Sequence, residues 1–508
     1  MGAAAGVVAD TESGWMTELK SIFPIASNSK LFAAVCVVML IERETPLSDG
    51  KMLDFSTKVK DILPEWRLKD EYASDRIDLM DLLIHRTGLP SHACFKTNSV
   101  MPSEAIGKMR HLSFLTELRQ QFEYGSEVYL VLAHIVATVS KMSYPEFLSR
   151  NVFEPLGMGS ATQDSHEAKR TGHRTDGFVR SGLDRRLQGS LGVAKSMGWW
   201  TDTDGVWHQG AGGLAINIMD CAKWVKELLS PDVLSTQLVS KLNQGHILFM
   251  KANSPEHGAK LYGLGQWSTT YRGIDIVSHT GSIHGHLSVM MRVPSRRIGF
   301  WISVNDEDLG GSFLNVVSNR LLDELLGLDP IDWETRSFAP SLDRRILPPH
   351  PPHPPRNSPP PSDVSILGTY FDAGYGSVVI QALTDTKLAR GFADVVTKGG
   401  LTLDLEEQEG AVYFARMDKL FLTHLIFRHL DGSRFEWIRT IMFRALDGAG
   451  QATDEWIGRF YGRGQAVITR EGIGMFGGFW GVPGSKGLSV VESNVELGAE
   501  VWFAREGS

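Results

Sequence analysis

The chain has 508 residues, with 42% hydrophobic and 22% charged side chains, a balance that excludes a disordered or fibrous chain and accommodates roughly two to four folding units. Fifty-one Lys and Arg stand against 59 Asp and Glu for a net charge of −8; no long basic run is present, and nucleic acid is not an expected partner. The three cysteines, Cys36, Cys94 and Cys221, are far apart, form no CxxC pattern, and are expected to be reduced.

The opening segment MGAAAGVVADTE has no basic stretch leading into an apolar one, so no secretory signal is expected and a cytoplasmic location follows. Gly2 superficially matches an acylation site, but Gly6 stands where Ser or Thr is needed. The first strong element follows FPIASNSK (23–30): an apolar run from Leu31 to Ile41, about half a membrane span, predicts a buried helix and no membrane partner. FEYGSEVYLVLAHIVATV then places Tyr124 and Ser126 in a loop before a second apolar helix over 128–139, and further helical patterns cover 221–229 and 313–328. HLSVMMRVP and RIGFWISVN read as strands joined by the short PSRR connection, hence as antiparallel neighbours, which argues against a doubly wound sheet. Nine prolines in the fourteen residues PPHPPHPPRNSPPP (348–361) mark a linker. Beyond it, GSVVIQALT, AVYFARM, THLIFRHL, RFEWIRTIMF and EVWFARE follow one another with turn residues between and little helical periodicity, predicting a separate β-barrel or sandwich.

Ser27 and Lys30 fall one turn apart on the same face of the first helix, with the serine at the positive end of the helix dipole. A desolvated lysine can lose its proton near neutral pH and accept one from the serine hydroxyl, the arrangement that acyl transfer needs. The plain alternative is a serine cap beside a solvated lysine. SDGK (48–51) has the same spacing but lies in a Pro/Gly turn with no helix behind it. Two further motifs stand in order along the chain: Tyr124-Gly125-Ser126, and His279-Thr280-Gly281 with Ser282, on or just before a strand.

Together these motifs resemble the serine β-lactamase and penicillin-binding-protein superfamily, in its class C, D-aminopeptidase and esterase branch. The resemblance runs over roughly 22–328 and includes DLLIHRTGLPSH (81–92), NVFEPLGM (151–158) and GAGGLAINIMDCAKWVKELL (210–229). It implies an α+β fold: a β-lactamase/transpeptidase-like domain, an antiparallel sheet flanked by helices, over 1–335, the linker over 336–364, and an all-β lipocalin-like barrel over 365–508. It also implies that Ser27 is acylated, that Lys30 and Tyr124 carry its proton, that His279 stands at the catalytic strand, and that Ser126, Thr280, Gly281 and Ser282 contact the substrate, with the Ser27 and Ser282 amides as an oxyanion hole. In other acyl-transfer enzymes each such donor lowers the barrier by about 3 kcal/mol. No cofactor or metal is implied, and the partner is a small ester or amide.

Two positions depart from the β-lactamase pattern. Ser126 replaces an Asn, and His279 replaces a Lys whose permanent charge would meet a substrate carboxylate. Only 26 residues precede Ser27, so a short N-terminus is expected to leave part of the central sheet absent. No GxSxG elbow is present, which removes an α/β-hydrolase. HGH (284–286) has no accompanying acidic ligand, so zinc is not expected. The alternatives that remain are a catalytically impaired binding module of the same fold, and an acyltransferase using the same acyl-enzyme. Trp199, Trp200, Trp207 and Trp267 are candidates for an apolar acyl pocket or for core packing.

Overall fold

The computed structural model describes residues 18–92, 95, 101–184, 187, 189–201, 208–339, 359, 365–401, 403, 412–480 and 494–507. The proline-rich run, apart from Pro359, lies outside the described residues, as do Cys94 and Trp207.

The apolar run after Ser27 forms helix α1 (Ser29–Glu42), and Leu31 through Val38 are all buried. A helix apolar on every side is one that runs through a core. α1 packs against α2 (Glu127–Ser140), and Phe32 stacks on Trp224 of α3 (Ile218–Leu229) with ring centres 4.2 Å apart. Cys36 and Cys221 are buried here as free thiols.

These helices lie on one face of a six-stranded antiparallel sheet. Its strands are β5 (Gly245–Met250), β6 (Lys260–Gly263), β7 (Trp267–Tyr271), β8 (Ile274–Ile283), β9 (His286–Val293) and β10 (Ile298–Val304), in the spatial order β10-β9-β8-β7-β6-β5. As anticipated, β9 and β10 are antiparallel neighbours, with Met290 opposite Trp301. Because side chains alternate across a strand, Met290 joins the helical core, while Val289 and Met291 face α4 (Gly310–Leu326) on the other side. Among the described residues β10 has no neighbour on its outer edge. A small sheet pairs β1 (Ile22–Pro24) with β4 (Ala215–Asn217) just ahead of Ser27.

The second part is an antiparallel barrel of eight strands: β11 (Gly368–Asp372), β12 (Gly376–Ala382), β13 (Val412–Lys419), β14 (Leu422–Asp431), β15 (Arg434–Leu446), β16 (Ala452–Ile468), β17 (Gly472–Phe476) and β18 (Val501–Arg505). The order β14-β13-β12-β11-β18-β17-β16-β15 is closed by pairing of β14 with β15. The expected layout of an α+β unit followed by an all-β barrel is the one observed. Two features differ from the sequence reading. A helix, α5 (Thr386–Lys398), packs on β16 where none was anticipated, and its Gly391 sits where an added Cβ would lie 2.5 Å from Trp456. The barrel is also continuous with the first part, because the hairpin β2 (Gly177–Ser181) and β3 (Val193–Gly198) extends its sheet through Ser196 opposite Leu446.

Ion pairs reinforce this junction: Arg459 of β16 meets Glu307, whose carboxylate accepts the Gly285 amide at 2.8 Å, and Lys398 of α5 lies 3.6 Å from Asp308.

The Phe32–Trp224 stack is expected to carry much of the helical core. Phe32→Ala should cost about 3–5 kcal/mol in urea unfolding. Trp224→Phe should cost far less, because the buried Trp224 indole N–H has no hydrogen-bond partner among the described residues and its removal relieves a desolvation penalty.

Candidate active site

Ser27 lies in the 3-10 turn Ala26–Asn28 that leads into α1, half-buried. Ala26 holds φ at 47°, a left-handed conformation that costs an alanine on the order of 1–2 kcal/mol. Its surroundings hold it there: the Ile25 amide donates to the Leu214 carbonyl at 2.9 Å, and the Leu214 amide donates to Ser29 Oγ at 3.2 Å. Lys30 follows one helical turn later with no exposed surface. Its Nζ stands 3.2 Å from Ser27 Oγ, 3.3 Å from Ser126 Oγ and 2.8 Å from the Ala211 carbonyl. The same nitrogen lies over the Tyr124 ring at 4.9 Å and the Tyr129 ring at 5.7 Å.

Ser126 is the residue that opens α2, and the loop before it is shaped by His85. The Gly125 amide donates to His85 Nδ1 at 3.2 Å and the Glu123 amide to the His85 carbonyl at 2.8 Å. The His85 ring is itself enclosed by Phe122, Tyr124, Tyr129 and Tyr262. Burial pushes the Tyr124 hydroxyl well above its ordinary range, while a hydrogen bond with Ser27 works in the opposite direction.

Strand β8 delivers the third motif. β7 pairs with β8 only as far as Ser278, whereas β9 pairs with it through Ile283. From His279 onward, among the described residues, one edge of β8 therefore has no strand beside it, next to the Ser27 turn. Thr280 and Ser282 are exposed, while His279 and Gly281 are buried. Gly281 is required by close approach, since a Cβ there would collide with the Ile25 carbonyl. His279 stacks flat on Trp267, with ring centres 4.3 Å apart and an interplanar angle of 4°. Its Nδ1 is 2.6 Å from the Thr280 carbonyl, which makes that nitrogen the donor, and Tyr262 Oη lies 3.4 Å from Nε2. Burial is the main cause that pushes the imidazole pKa down to about 3. His279 is uncharged at neutral pH.

The structure thus gathers Ser27, Lys30, Tyr124, Ser126 and His279 around one point, with Thr280, Gly281 and Ser282 along the adjoining strand edge. Sequence reasoning missed the Ala211 carbonyl, the His85 support and the Tyr262 ring, which meets Trp267 edge-on with ring centres 6.3 Å apart. The first two lie within the segments GAGGL and LLIHRTGLP, whose family resemblance alone assigns them no role. Of the tryptophans, Trp267 flanks the site, whereas Trp199 and Trp200 are buried in a packed cluster with Ile22 and Ala26. The HGH histidines are structural: His284 Nε2 bonds to the Leu420 carbonyl at 2.7 Å, and His286 bonds to the Thr175 and His284 carbonyls.

A family model described as Beta-lactamase matches residues 2–320. The chain belongs to the beta-lactamase family. It is similar to the unguisins hydrolase of Aspergillus violaceofuscus (strain CBS 115571), at 24% identity over 440 residues, which is 78% of this chain and 75% of that protein. Protein flp of Staphylococcus aureus is 22% identical over 289 residues, 56% of this chain, and the match spans 52% of flp. Among solved structures, the octameric penicillin-binding protein homologue from Pyrococcus abyssi superposes with a TM-score of 0.52 at 18% identity, covering 91% of this chain and 88% of that one. A D-amino acid amidase from Ochrobactrum anthropi SV3 superposes with a TM-score of 0.51 at 20% identity, covering 63% and 89%. The first of these matches spans both the beta-lactamase-like part and the barrel.

Burial holds His279 at about 3 and His284, His286 and His424 at about 4, all below the ordinary 6.5. Between those values and 6.5 the unfolded chain binds more protons than the folded one, so stability is intact above pH 6.5 and falls as the pH drops through this window. The slope is about 1.4 kcal/mol per pH unit for each histidine. Urea unfolding at pH 7, 6 and 5 should show this loss, and His279→Asn should make it shallower.

Proposed function

We propose that this chain is a serine hydrolase that opens ester or amide bonds through an acyl-enzyme on Ser27. The observation that carries the reading is Lys30: a fully buried amine 3.2 Å from Ser27 Oγ, with further contacts to the Ser126 hydroxyl and the Ala211 carbonyl. With those two oxygens taking N–H donors, a neutral amine keeps its lone pair for the serine proton. Ser27 Oγ attacks the substrate carbonyl, its proton passes to the Lys30–Tyr124 pair, and the same proton goes to the leaving group as the carbonyl re-forms. Water then attacks the Ser27 ester by the reverse route, giving one of its own protons to the Lys30–Tyr124 pair, which passes it to Oγ as the ester bond breaks.

The amides of Ser27 and Ser282 are the proposed oxyanion donors. Ser282 lies on the stretch of β8 that β7 leaves uncovered, and Gly281 allows that stretch to approach the Ile25–Ser27 turn. Ser126 and Thr280 hold the substrate beside it. His279 contributes shape and a neutral ring, which favours substrates that do not depend on a fixed cation at that point of the strand. Relatives named as an unguisins hydrolase and a D-amino acid amidase fit an amide or ester substrate.

Intact-mass spectrometry after incubation with a fluorophosphonate, a p-nitrophenyl ester and a penicillin tests the reading. A covalent adduct mapping to Ser27 and absent from Ser27→Ala is expected, together with ester turnover. Lys30→Met should lower kcat/KM by about three orders of magnitude or more. Folded protein that forms no adduct with any of the three would leave the impaired binding module as the correct reading.

A further inference from the structure

Six rings meet one another beside the nucleophile. Tyr124, which shares a hydrogen bond with Ser27, has its ring centre 6.5 Å from His279, 6.4 Å from Tyr262 and 6.3 Å from Phe122. Phe122 is in turn 5.1 Å from Tyr262 and 5.1 Å from Phe249. Trp267 stacks on His279 at 4.3 Å and on Phe249 at 5.5 Å.

The array has an inner and an outer part. Tyr262 and His279 are buried, whereas Phe122, Tyr124, Phe249 and Trp267 are only half-buried. The Phe32–Trp224 stack of the helical core is closed to solvent; these four rings are not. Large rings that adjoin one another, keep part of their surface open and end at a nucleophile form an apolar surface suited to a ligand. Phe249 stands on β5, the edge strand of the six-stranded sheet, so the outer end of the surface is reached from outside the core. Lys260 Nζ lies 5.9 Å from the Trp267 ring, and a second cation there would be repelled.

The proton route decides which part of a substrate meets these rings. Acylation sends the Ser27 proton to the leaving group through Lys30 and Tyr124, so the leaving atom must stand beside Tyr124, where the array begins. The strand supports the same side. Trp267 is opposite Ser278, the last residue of β8 that β7 covers, whereas Ser282, the proposed oxyanion donor, lies farther along the open edge.

We propose that Phe122, Phe249 and Trp267 form a leaving-group subsite that takes an uncharged aromatic alcohol or amine. In the acylation step the bond from Ser27 Oγ to the carbonyl carbon forms, the bond from that carbon to the leaving oxygen or nitrogen breaks, and the leaving atom receives the proton from the Lys30–Tyr124 pair. The aromatic part of the leaving group rests meanwhile on the outer rings, where offset and edge-on contacts add to the apolar area buried. The inference rests on acylation of Ser27 and adds the class of group that is expelled.

Two measurements on the full chain test it, one of them independent of turnover. Ethyl butyrate and 2-naphthylmethyl butyrate give the same butyryl-enzyme, so their kcat/KM values differ only through the step in which the leaving group is still attached. The naphthylmethyl ester should exceed the ethyl ester by about tenfold or more. Phe249→Ala should bring that ratio close to one, and Phe249→Tyr should keep it. Calorimetric titration with 2-naphthylmethanol should show equal binding by the wild type and Ser27→Ala, about tenfold weaker binding by Phe249→Ala, and recovery in Phe249→Tyr. Equal kcat/KM for the two esters in the wild type, or a Phe249→Ala loss that is the same for both, would overturn the assignment even with Ser27 labelled by the fluorophosphonate. Absence of that label would instead defeat the acyl-enzyme reading, and the titration of Ser27→Ala would still decide whether the rings bind an aromatic alcohol.

Discussion

A lysine nitrogen with no exposed surface must find its hydrogen-bond partners inside the protein, and much of this molecule is arranged to supply them for Lys30. Burying a charged or strongly polar amine costs several kcal/mol unless the donors are satisfied. Three oxygens within its reach come from three separate parts of the chain: the turn before α1, the start of α2, and the glycine-rich turn before β4. Each part is then fixed by its own contacts, Ile25 and Ser29 to Leu214, and Gly125 to His85. The apolar bulk of α1 is the other half of the constraint, since a helix buried on every side cannot tilt its first turn without disturbing the core.

The cleft follows from where charge is absent. His279 stacks on Trp267 and spends one ring nitrogen on the Thr280 carbonyl, so the strand presents a flat neutral ring where a cation would otherwise stand. The barrel does more than add a second core. Its β13–β14 turn adds Leu420 to the buried cluster that includes Ala26, its β11–β12 turn is fastened by His92, and its edge continues into β3. Removing the barrel would therefore expose apolar surface at the nucleophile turn as well as widen the cleft.

Much of this was legible in the sequence. The run after SNSK allowed only a buried helix, the Ser27–Lys30 spacing placed both on one face, and PSRR correctly set β9 against β10. The failures have physical causes. Helix α5 escaped notice because TKLARGFADVVTK carries an interior glycine and β-branched residues that weaken its helical character, and that glycine is explained only by Trp456, which approaches from β16. Ala211 acts through a backbone carbonyl, which leaves no signature in residue type. His85 lies in the left-handed region, at φ 57°, and its ring nitrogen meets an amide 40 residues away. The pairing of β3 with β15 is a long-range contact that local periodicity cannot encode.

Activation of Ser27 by Lys30 is open to chemical rescue. Pre-steady-state release of p-nitrophenol from a p-nitrophenyl ester would be followed for the wild type and for Lys30→Ala, without and with methylamine or ethylamine. A burst is expected in the wild type, with its loss in Lys30→Ala and a partial recovery that rises with amine concentration and disappears in the Ser27→Ala double variant. A Lys30→Ala burst at the wild-type rate would contradict it.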